Sequence, residues 1–528
     1  MRKLLVCVSL AAVLAGCHVS VGGNDSSGAS GEGGSADAGR PAQASAELAG
    51  ITSGDLQAAA TDPAVRHFYE ARNWSPVWTR KQSDDLKAAI ADAPRHALRP
   101  ESFFAETKAG ATPAQREAAM TKAALDYGRA LAFGMVDPVK LFDHYTVPKW
   151  KVDVAAGLGQ AVDKGAVRAW LASLAPADAE YKALSDSFLR YRQAAAGPNQ
   201  ATIPNGDKIH AGDKDPRLPQ IEAALRLRGY RGPQAAAPAP AAGQAAAPAY
   251  TADMVSAVKQ VQADYGIRPD GVIGDSTLEA LNNGSAERAR IIAVNLERRR
   301  WLDRSPPATR IDVNTAGTFL DYWRAGALAH HAKVVDGQTD WETPQLGSPI
   351  VRLVANPDWT IPDTIAAKEI RPKGAAYMAR QHIVTKNGRL VQESGPTNSL
   401  GLVKFDMLND QSIYLHDTPA KALFASEERH SSHGCVRVDD AVGFARLVAN
   451  DQGMLDPFNQ ALASGKQTNV QLKQAIPVRL LYHSAYLDGG KVVFRPDPYG
   501  WDDKVAAALG MGGAVRHRTI KHVEDVGP

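Results

Sequence analysis

Near residue 285 the hydrophobic pattern of this chain changes period, and no single-layer fold accommodates both halves. Upstream the apolar residues recur at helical spacing. Ser83 is a candidate cap for a helix carrying Leu86, Ala89, Ile90 and Ala93 on one face. Thr112-Pro113-Ala114-Gln115 has capping-box spacing with Pro at the first helical position, and Met120, Ala124, Tyr127 and Leu131 continue the stripe. Downstream, Arg310–Asn314 and Ser412–His416 alternate as strands do, and Val478–Leu487 and Val492–Phe494 flank a hairpin turn at Asp488-Gly489-Gly490. Asp439 or Asp440 starts a late helix with Ala441, Phe444, Ala445 and Val448 on one face. The fold class expected is multidomain α+β. A length of 528 residues is three or four domains' worth. With 44% hydrophobic and 22% charged residues the chain can bury sizeable cores, which excludes a disordered, collagen-like or disulfide-stapled class. Residues 51–208 read as a helical scaffold with no chemistry visible; Phe68–Arg72, for instance, reads as core and surface.

Residues 209–284 form a unit of their own. Ile221, Ala224, Leu225 and Arg228 lead to a stop at Gly229. A second helix carries Met254, Val258, Val261 and Tyr265. Asp270-Gly271 marks a tight turn, and Asp275 is the expected cap of a third helix with Leu278 and Leu281. Between the first two helices, residues 231–249 are almost all Ala, Pro, Gln and Gly, the composition of a loop or linker. The run Ala257–Gln262 followed by Asp270–Leu278 resembles the peptidoglycan-binding domain family, a three-helix module. The long insertion departs from that family's pattern.

The amino terminus reads as an export signal. Arg2 and Lys3 precede an apolar stretch, Leu4–Leu14, too short to span a bilayer; Ala15 and Gly16 then precede Cys17. Leu14-Ala15-Gly16-Cys17 resembles a bacterial lipobox. That resemblance implies removal of residues 1–16, acylation of Cys17 and a membrane anchor. His18 rather than Asp after Cys17 leans toward the outer membrane of a periplasmic protein. Residues 17–50, rich in Gly, Ser and Ala, read as a flexible tether. A net charge of +3 gives no reason to expect a nucleic-acid partner.

Counting cysteines narrows the chemistry. Cys7 leaves with the leader and Cys17 takes lipid, so Cys435 remains a free thiol in an exported chain. It lies in His430-Ser431-Ser432-His433-Gly434-Cys435-Val436-Arg437, downstream of Tyr414-Leu415-His416-Asp417. Acyl transfer through sulfur needs a thiolate, an imidazole to generate it, and donors aimed at the oxyanion. Cys435 supplies the first; His416 and His433 are candidates for the second; amides near Gly434 and Cys435 are candidates for the third. Pairing with a His can favour a thiolate–imidazolium pair at neutral pH. Zinc is the rival use of these side chains. However, there is no Cys-x-x-Cys or His-Glu-x-x-His spacing, so no metal and no cofactor is expected.

Ser432-His433-Gly434-Cys435, with His416 nineteen positions before the Cys, resembles the L,D-transpeptidase signature. Nearly the whole mature chain is similar to the large murein subtype, which joins a helical scaffold, a peptidoglycan-binding domain and a mainly β catalytic domain, here 285–528, with a capping insertion. Ser394–Gly401, Asn295–Arg298 and Asp497–Asp502 fit that pattern. The resemblance implies Cys435 as nucleophile, His416 as general base, and His433 as support that orients the pair. It implies Arg437, Tyr414 and Trp359 near substrate, with the capping segment at about 357–397. Ser432 is expected as a structural hydrogen-bonder and His430 as a solvated loop residue. The activity implied is a 3→3 diaminopimelate crosslink in peptidoglycan, made through a cysteinyl thioester with release of D-Ala and open to carbapenem acylation. An L,D-carboxypeptidase, a protein-to-peptidoglycan ligase and a non-catalytic tether between membrane and wall are the alternatives.

Overall fold

The computed structural model describes residues 50–104, 110–196, 202–231 and 248–512. The leader, Cys17, the tether up to residue 49 and nearly all of the Ala/Pro-rich stretch lie outside the described residues. No helix among the described residues is long and apolar enough to cross a membrane.

Local chemistry sets the scaffold helices. The helix Pro113–Phe133 begins at the expected capping box: Thr112 accepts from the Gln115 amide while the Gln115 side chain accepts from the Thr112 amide. It ends at Gly134, whose φ of 84° suits glycine and where a Cβ would strike the Glu297 carboxylate. The next expected cap moves. Helix Arg80–Ala91 is started by Thr79, not Ser83, because Thr79 and Gln82 form their own capping box four residues earlier. Leu86, Ala89 and Ile90 are buried as the periodicity predicts, while Ala93 falls in the 3₁₀ turn beyond the helix end.

The three-helix unit is present as Leu218–Leu227, Ala252–Asp264 and Asp275–Asn282. Asp275 sits one position inside its helix, after Gly274, and makes no cap bond. Buried Gln262 pins the turn instead. Its amide nitrogen donates to Asp270 Oδ1 and Val272 O, both at 3.0 Å, and its oxygen accepts from the Gly271 amide at 2.8 Å.

Helix Ser285–Trp301 runs from this unit toward the β region and carries an unusual load of sheltered cations. Four are held by carboxylates: Arg300 by Glu297 at 2.6 Å, Arg298 by Asp502, Arg299 by Asp178 and Glu180, and Arg290 by Asp503 at 2.8 Å. Asn295 Nδ2 donates to Ser484 Oγ at 2.9 Å. The helix is thereby bonded to the scaffold on one side and to the β region on the other.

Fourteen strands follow among the described residues. They are β1 (Arg310–Asn314), β2 (Phe319–Arg324), β3 (Ala327–Gly337), β4 (Gly347–Ala355), β5 (Trp359–Thr360), β6 (Ile383–Lys386), β7 (Arg389–Gln392), β8 (Val403–Met407), β9 (Leu415–His416), β10 (His430–Ser432), β11 (Val436–Val438), β12 (Thr468–Leu481), β13 (Ala485–Asp488) and β14 (Lys491–Phe494). Nine form one sheet in the order β10-β3-β11-β9-β8-β4-β12-β1-β2, and a further β2–β3 pairing closes it on itself. Its interior is apolar, with Val334, Leu353, Phe405, Leu415, Val436 and Val478 buried, and helix Ala441–Asp451 lays Phe444, Ala445 and Val448 against it. Asp440 caps that helix by accepting from the Gly443 amide. The expected strand Val478–Leu487 is broken in two: β12 ends at Leu481, and β13 pairs with β14 through Gly489-Gly490, both at positive φ as a tight hairpin turn requires.

Residues between β4 and β8 leave the barrel and build a small cap. It consists of the sheet β5-β7-β6 and short helical turns over 363–380, gathered round Trp359, Ile361, Ile365, Ile370 and Leu390. The expected capping segment, 357–397, falls within it.

Candidate active site

The cleft that matters is built where β9 and β11 run parallel. Their register sets Val436 beside Leu415 and Arg437 beside His416, so Cys435 emerges just before β11 next to Tyr414. The cleft encloses about 790 Å³ and is lined by Cys435, His416, His433, Gly434, Tyr414, Arg437 and Trp359, all seven barrel and cap residues singled out from the sequence. Among the described residues no group of three or more His, Cys, Asp or Glu is arranged to hold a metal ion.

Cys435 lines this cleft, half-buried, its sulfur 3.7 Å from the Ser412 carbonyl. Burial among protein atoms pushes its thiol up; the Tyr414 backbone and hydroxyl, Lys404 and Arg437 pull the other way without overcoming it. His416 is 4% exposed. Its Nδ1–H donates to the Asp417 carbonyl at 2.5 Å, which fixes the tautomer and leaves Nε2 as the proton acceptor. Burial, then the positive charge of Arg437, drive its pKa down to about 3. The pair at rest is therefore a neutral thiol and a neutral imidazole. The ion pair that a Cys beside a His can favour is not the resting state here, because burial acts against both charges and the charged neighbours that bear on the imidazole are cations.

The loop that presents the thiol is stapled by Ser432. Its hydroxyl donates to the Cys435 carbonyl at 2.6 Å and accepts from the Gly434 amide at 3.2 Å. Ser432 is thus the structural hydrogen-bonder expected. The Gly434 amide is turned toward this hydroxyl. Gly434 has φ +100°, a backbone conformation that L side chains rarely adopt, although a Cβ there would meet the Trp341 carbonyl only at an ordinary contact distance of 3.5 Å. Thr343 Oγ1 donates to the Gly434 carbonyl at 2.9 Å and accepts from the Gly337 amide at 2.8 Å, tying the loop to the end of β3.

Tyr414 packs edge-on to His416, ring centroids 5.6 Å apart, with Lys404 Nζ 4.2 Å from its own ring centre. Burial holds its phenol protonated, and the neighbouring Cys435 adds to that effect. Trp359 is buried in β5 at the cap's edge of the cleft. Arg437 is buried within β11 beside His416. His433 donates from Nε2 to Glu369 of the cap at 2.7 Å and packs edge-on against Trp341.

One expectation is overturned nearby. His430 is not a solvated loop residue: it opens β10, pairs with Asp336 of β3 and is 7% exposed. A three-residue strand sealed by tertiary pairing leaves no periodic trace. The scaffold also enters the site. Leu141, Phe142, Asp143 and His144 line the cleft together with residues of the barrel and the cap. Phe142 anchors this wall against Trp501 (5.1 Å), and the Thr146 amide donates to Gln345 O at 3.1 Å. Nothing in the spacing of these residues signalled a site.

The domains carry recognisable relationships. Residues 63–188 match the scaffold domain, 215–281 the "Putative peptidoglycan binding domain" and 308–470 the L,D-transpeptidase catalytic domain. The chain is thus modular, with three successive stretches that match three different domain families. More narrowly, its closed sheet lies largely within the stretch that matches the L,D-transpeptidase catalytic domain, and the stretches before it match a scaffold domain and a peptidoglycan-binding domain. Over 222 residues it is 30% identical to a Haemophilus influenzae protein described as "Putative L,D-transpeptidase", a match over 38% of this chain and 45% of that protein. The chain spans under half the length of that curated relative. Solved L,D-transpeptidases from Stackebrandtia nassauensis and Xylanimonas cellulosilytica are 14% and 15% identical, covering 56% and 54% of this chain and 100% of theirs, at TM-scores of 0.21 and 0.18. Scores so low add nothing to the assignment, which rests on the sequence matches.

Proposed function

We propose that this protein forms 3→3 diaminopimelate crosslinks in peptidoglycan through a thioester on Cys435. One observation supports this above the rest: Cys435, just before β11, and His416, on the neighbouring parallel β9, line one cleft, with His416 Nδ1 committed to the Asp417 carbonyl and Nε2 left to take a proton. The thiol attacks the carbonyl joining the L-centre of diaminopimelate to D-Ala as Nε2 receives its proton. The carbonyl–nitrogen bond breaks and the proton passes to the departing D-Ala amine. The side-chain amine of a second diaminopimelate then attacks the thioester, forming the crosslink and returning the thiol. With a neutral resting pair, His416 acts as a general base during attack rather than as the partner of a standing thiolate. Tyr414, Arg437 and Trp359 contact the donor stem, and the Cys435 amide faces the oxyanion, the Gly434 amide being held by Ser432 Oγ. The cap limits water's access to the thioester. Lipid on Cys17, an outer-membrane anchor and a periplasmic location complete the reading. The three-helix module holds the glycan.

The test is product analysis. Purified protein incubated with disaccharide-tetrapeptide is expected to release D-Ala and yield a crosslinked dimer by mass spectrometry, and to gain one carbapenem mass. Cys435→Ala should do neither. Tripeptide alone would reassign the enzyme as a carboxypeptidase. No adduct and no product would leave a wall tether.

A further inference from the structure

The cap touches the nucleophile loop through two consecutive residues. Glu369 Oε1 accepts from His433 Nε2 at 2.7 Å, and Lys368 Nζ lies 5.9 Å from the Trp341 ring centre. His433 and Trp341 are themselves in edge-on contact, centroids 5.2 Å apart at 73°. Both cap residues belong to a π-helical turn, Ala366–Ile370, a wide turn that is rare and recurs at functional sites. The contact is partly sheltered, with side chains 11% and 31% exposed. What it grips lies close to the chemistry. His433 is two residues before Cys435. The Trp341 carbonyl is 3.5 Å from the position a Gly434 Cβ would take.

We propose that Glu369 is a positioning residue that transmits the seated state of the cap to the loop presenting Cys435. With the cap down, Glu369 holds the His433 ring against Trp341, and that pair buttresses Gly434 and the thiol beyond it. With the cap raised, His433 loses this partner and the loop loses its buttress, so the site is fully assembled only under a closed cap. The same bond divides the labour between the histidines: His433 has Nε2 committed to the cap, whereas His416 has Nε2 turned to the chemistry. The inference rests on the acyl-transfer reading of Cys435 for its kinetic consequence, and on the contact alone for its structural one.

The experiment uses the full chain as wild type, Glu369→Ala and Glu369→Gln, with a carbapenem as acylating probe and amide hydrogen exchange over residues 360–400. Glu369→Ala is expected to speed exchange in the cap and to lower the limiting acylation rate roughly 10- to 100-fold, the scale of a small misplacement of a reacting group. The half-saturating probe concentration should change less. Glu369→Gln keeps an oxygen that accepts from His433 and is expected to stay within about threefold of wild type. An Ala variant with wild-type exchange or a wild-type limiting rate would overturn the proposal. So would a Gln variant as impaired as Ala. A wild-type protein that the probe fails to acylate refutes the acyl-transfer reading instead, and the exchange comparison then still decides whether Glu369 holds the cap.

Discussion

Two histidines of the barrel are buried almost equally and are pushed toward opposite proton states. His416 lines a cleft together with Arg437 and Lys404, and Lys421 also bears on it; burial and these cations press its pKa to about 3. His430 lies fourteen residues on, against the end of β3. Burial would lower it too, but Glu428 at 2.5 Å, together with the Asp336 charge and the Thr315 carbonyl accepting from Nε2 at 2.8 Å, raises it above the ordinary value. Depth alone therefore does not choose the proton state; the sign of the neighbours does. Beside Cys435 the sheet holds an imidazole whose pKa is lowered, and against the end of β3 it holds one whose pKa is raised by the acceptors around it.

The largest test of this contrast is at His416. Replacing it with Ala should lower Cys435 acylation by about 10²- to 10⁴-fold, the usual scale for a general base. In the wild type, a base with a pKa near 3 beside a thiol pushed above its ordinary value gives a rate nearly flat from about pH 5 to pH 8, with the acid limb displaced toward 3. An acid limb near the free-histidine value of about 6.5 would mean instead that substrate entry leaves His416 close to its unperturbed pKa, and the contrast with His430 would fail.

A smaller effect is expected at the other histidine. Glu428→Ala removes the acceptor of the His430 Nδ1–H and should cost about 1–3 kcal/mol, because it leaves a buried donor unpaired. The folded-state pKa of His430 is raised, so its contribution is complete below the unfolded value of about 6.5 and fades as pH rises through the folded value. The loss measured by denaturant unfolding should accordingly be greater at pH 6 than at pH 8. An equal loss at both would show that His430 does not gain its proton on folding.

How much of this was legible in the sequence depends on the range of the interaction involved. The faces of the Arg80–Ala91 and Pro113–Phe133 helices, the Gly489-Gly490 turn and the Asp440 cap follow from neighbours a few residues apart, and residue types report such contacts directly. Ser83 and Asp275 were plausible caps displaced by equally local competitors, Thr79 with Gln82 and the backbone at Gly274. The residues around Cys435 were legible because a short motif concentrates them, and the fold brings the predicted set to one cleft. His430, Glu369 and Asp143 were not. Each acquires its surroundings from a segment at least sixty residues distant or from a strand pairing, and neither leaves a period or a spacing to read.

The smallest predicted effect isolates the sign rule from catalysis altogether. Asp336, paired with His430 across β10 and β3, is wholly buried, and neither carboxyl oxygen has a hydrogen-bond partner among the described residues. Burial raises its pKa to about 8, against the pull of His430 and Arg429. Below about pH 4 the group is protonated folded or unfolded and pH does not matter. Between about 4 and 8 the unfolded chain has released the proton and the folded chain retains it, so folding takes up a proton and becomes less favourable as pH rises. Asp336→Asn removes that dependence while keeping the shape. Its stability should match wild type near pH 4 and exceed it by about 1–3 kcal/mol at pH 8, below the ceiling set by about 1.4 kcal/mol for each tenfold change in proton affinity. Near pH 8, where the carboxyl is about half ionised, the variant also withdraws part of the charge that raises His430, which trims the gain without reversing it. Denaturant titrations at pH 5 and pH 8 decide the matter: a gain that does not grow with pH would mean the carboxyl is ionised at neutral pH, with His430 as its counter-charge.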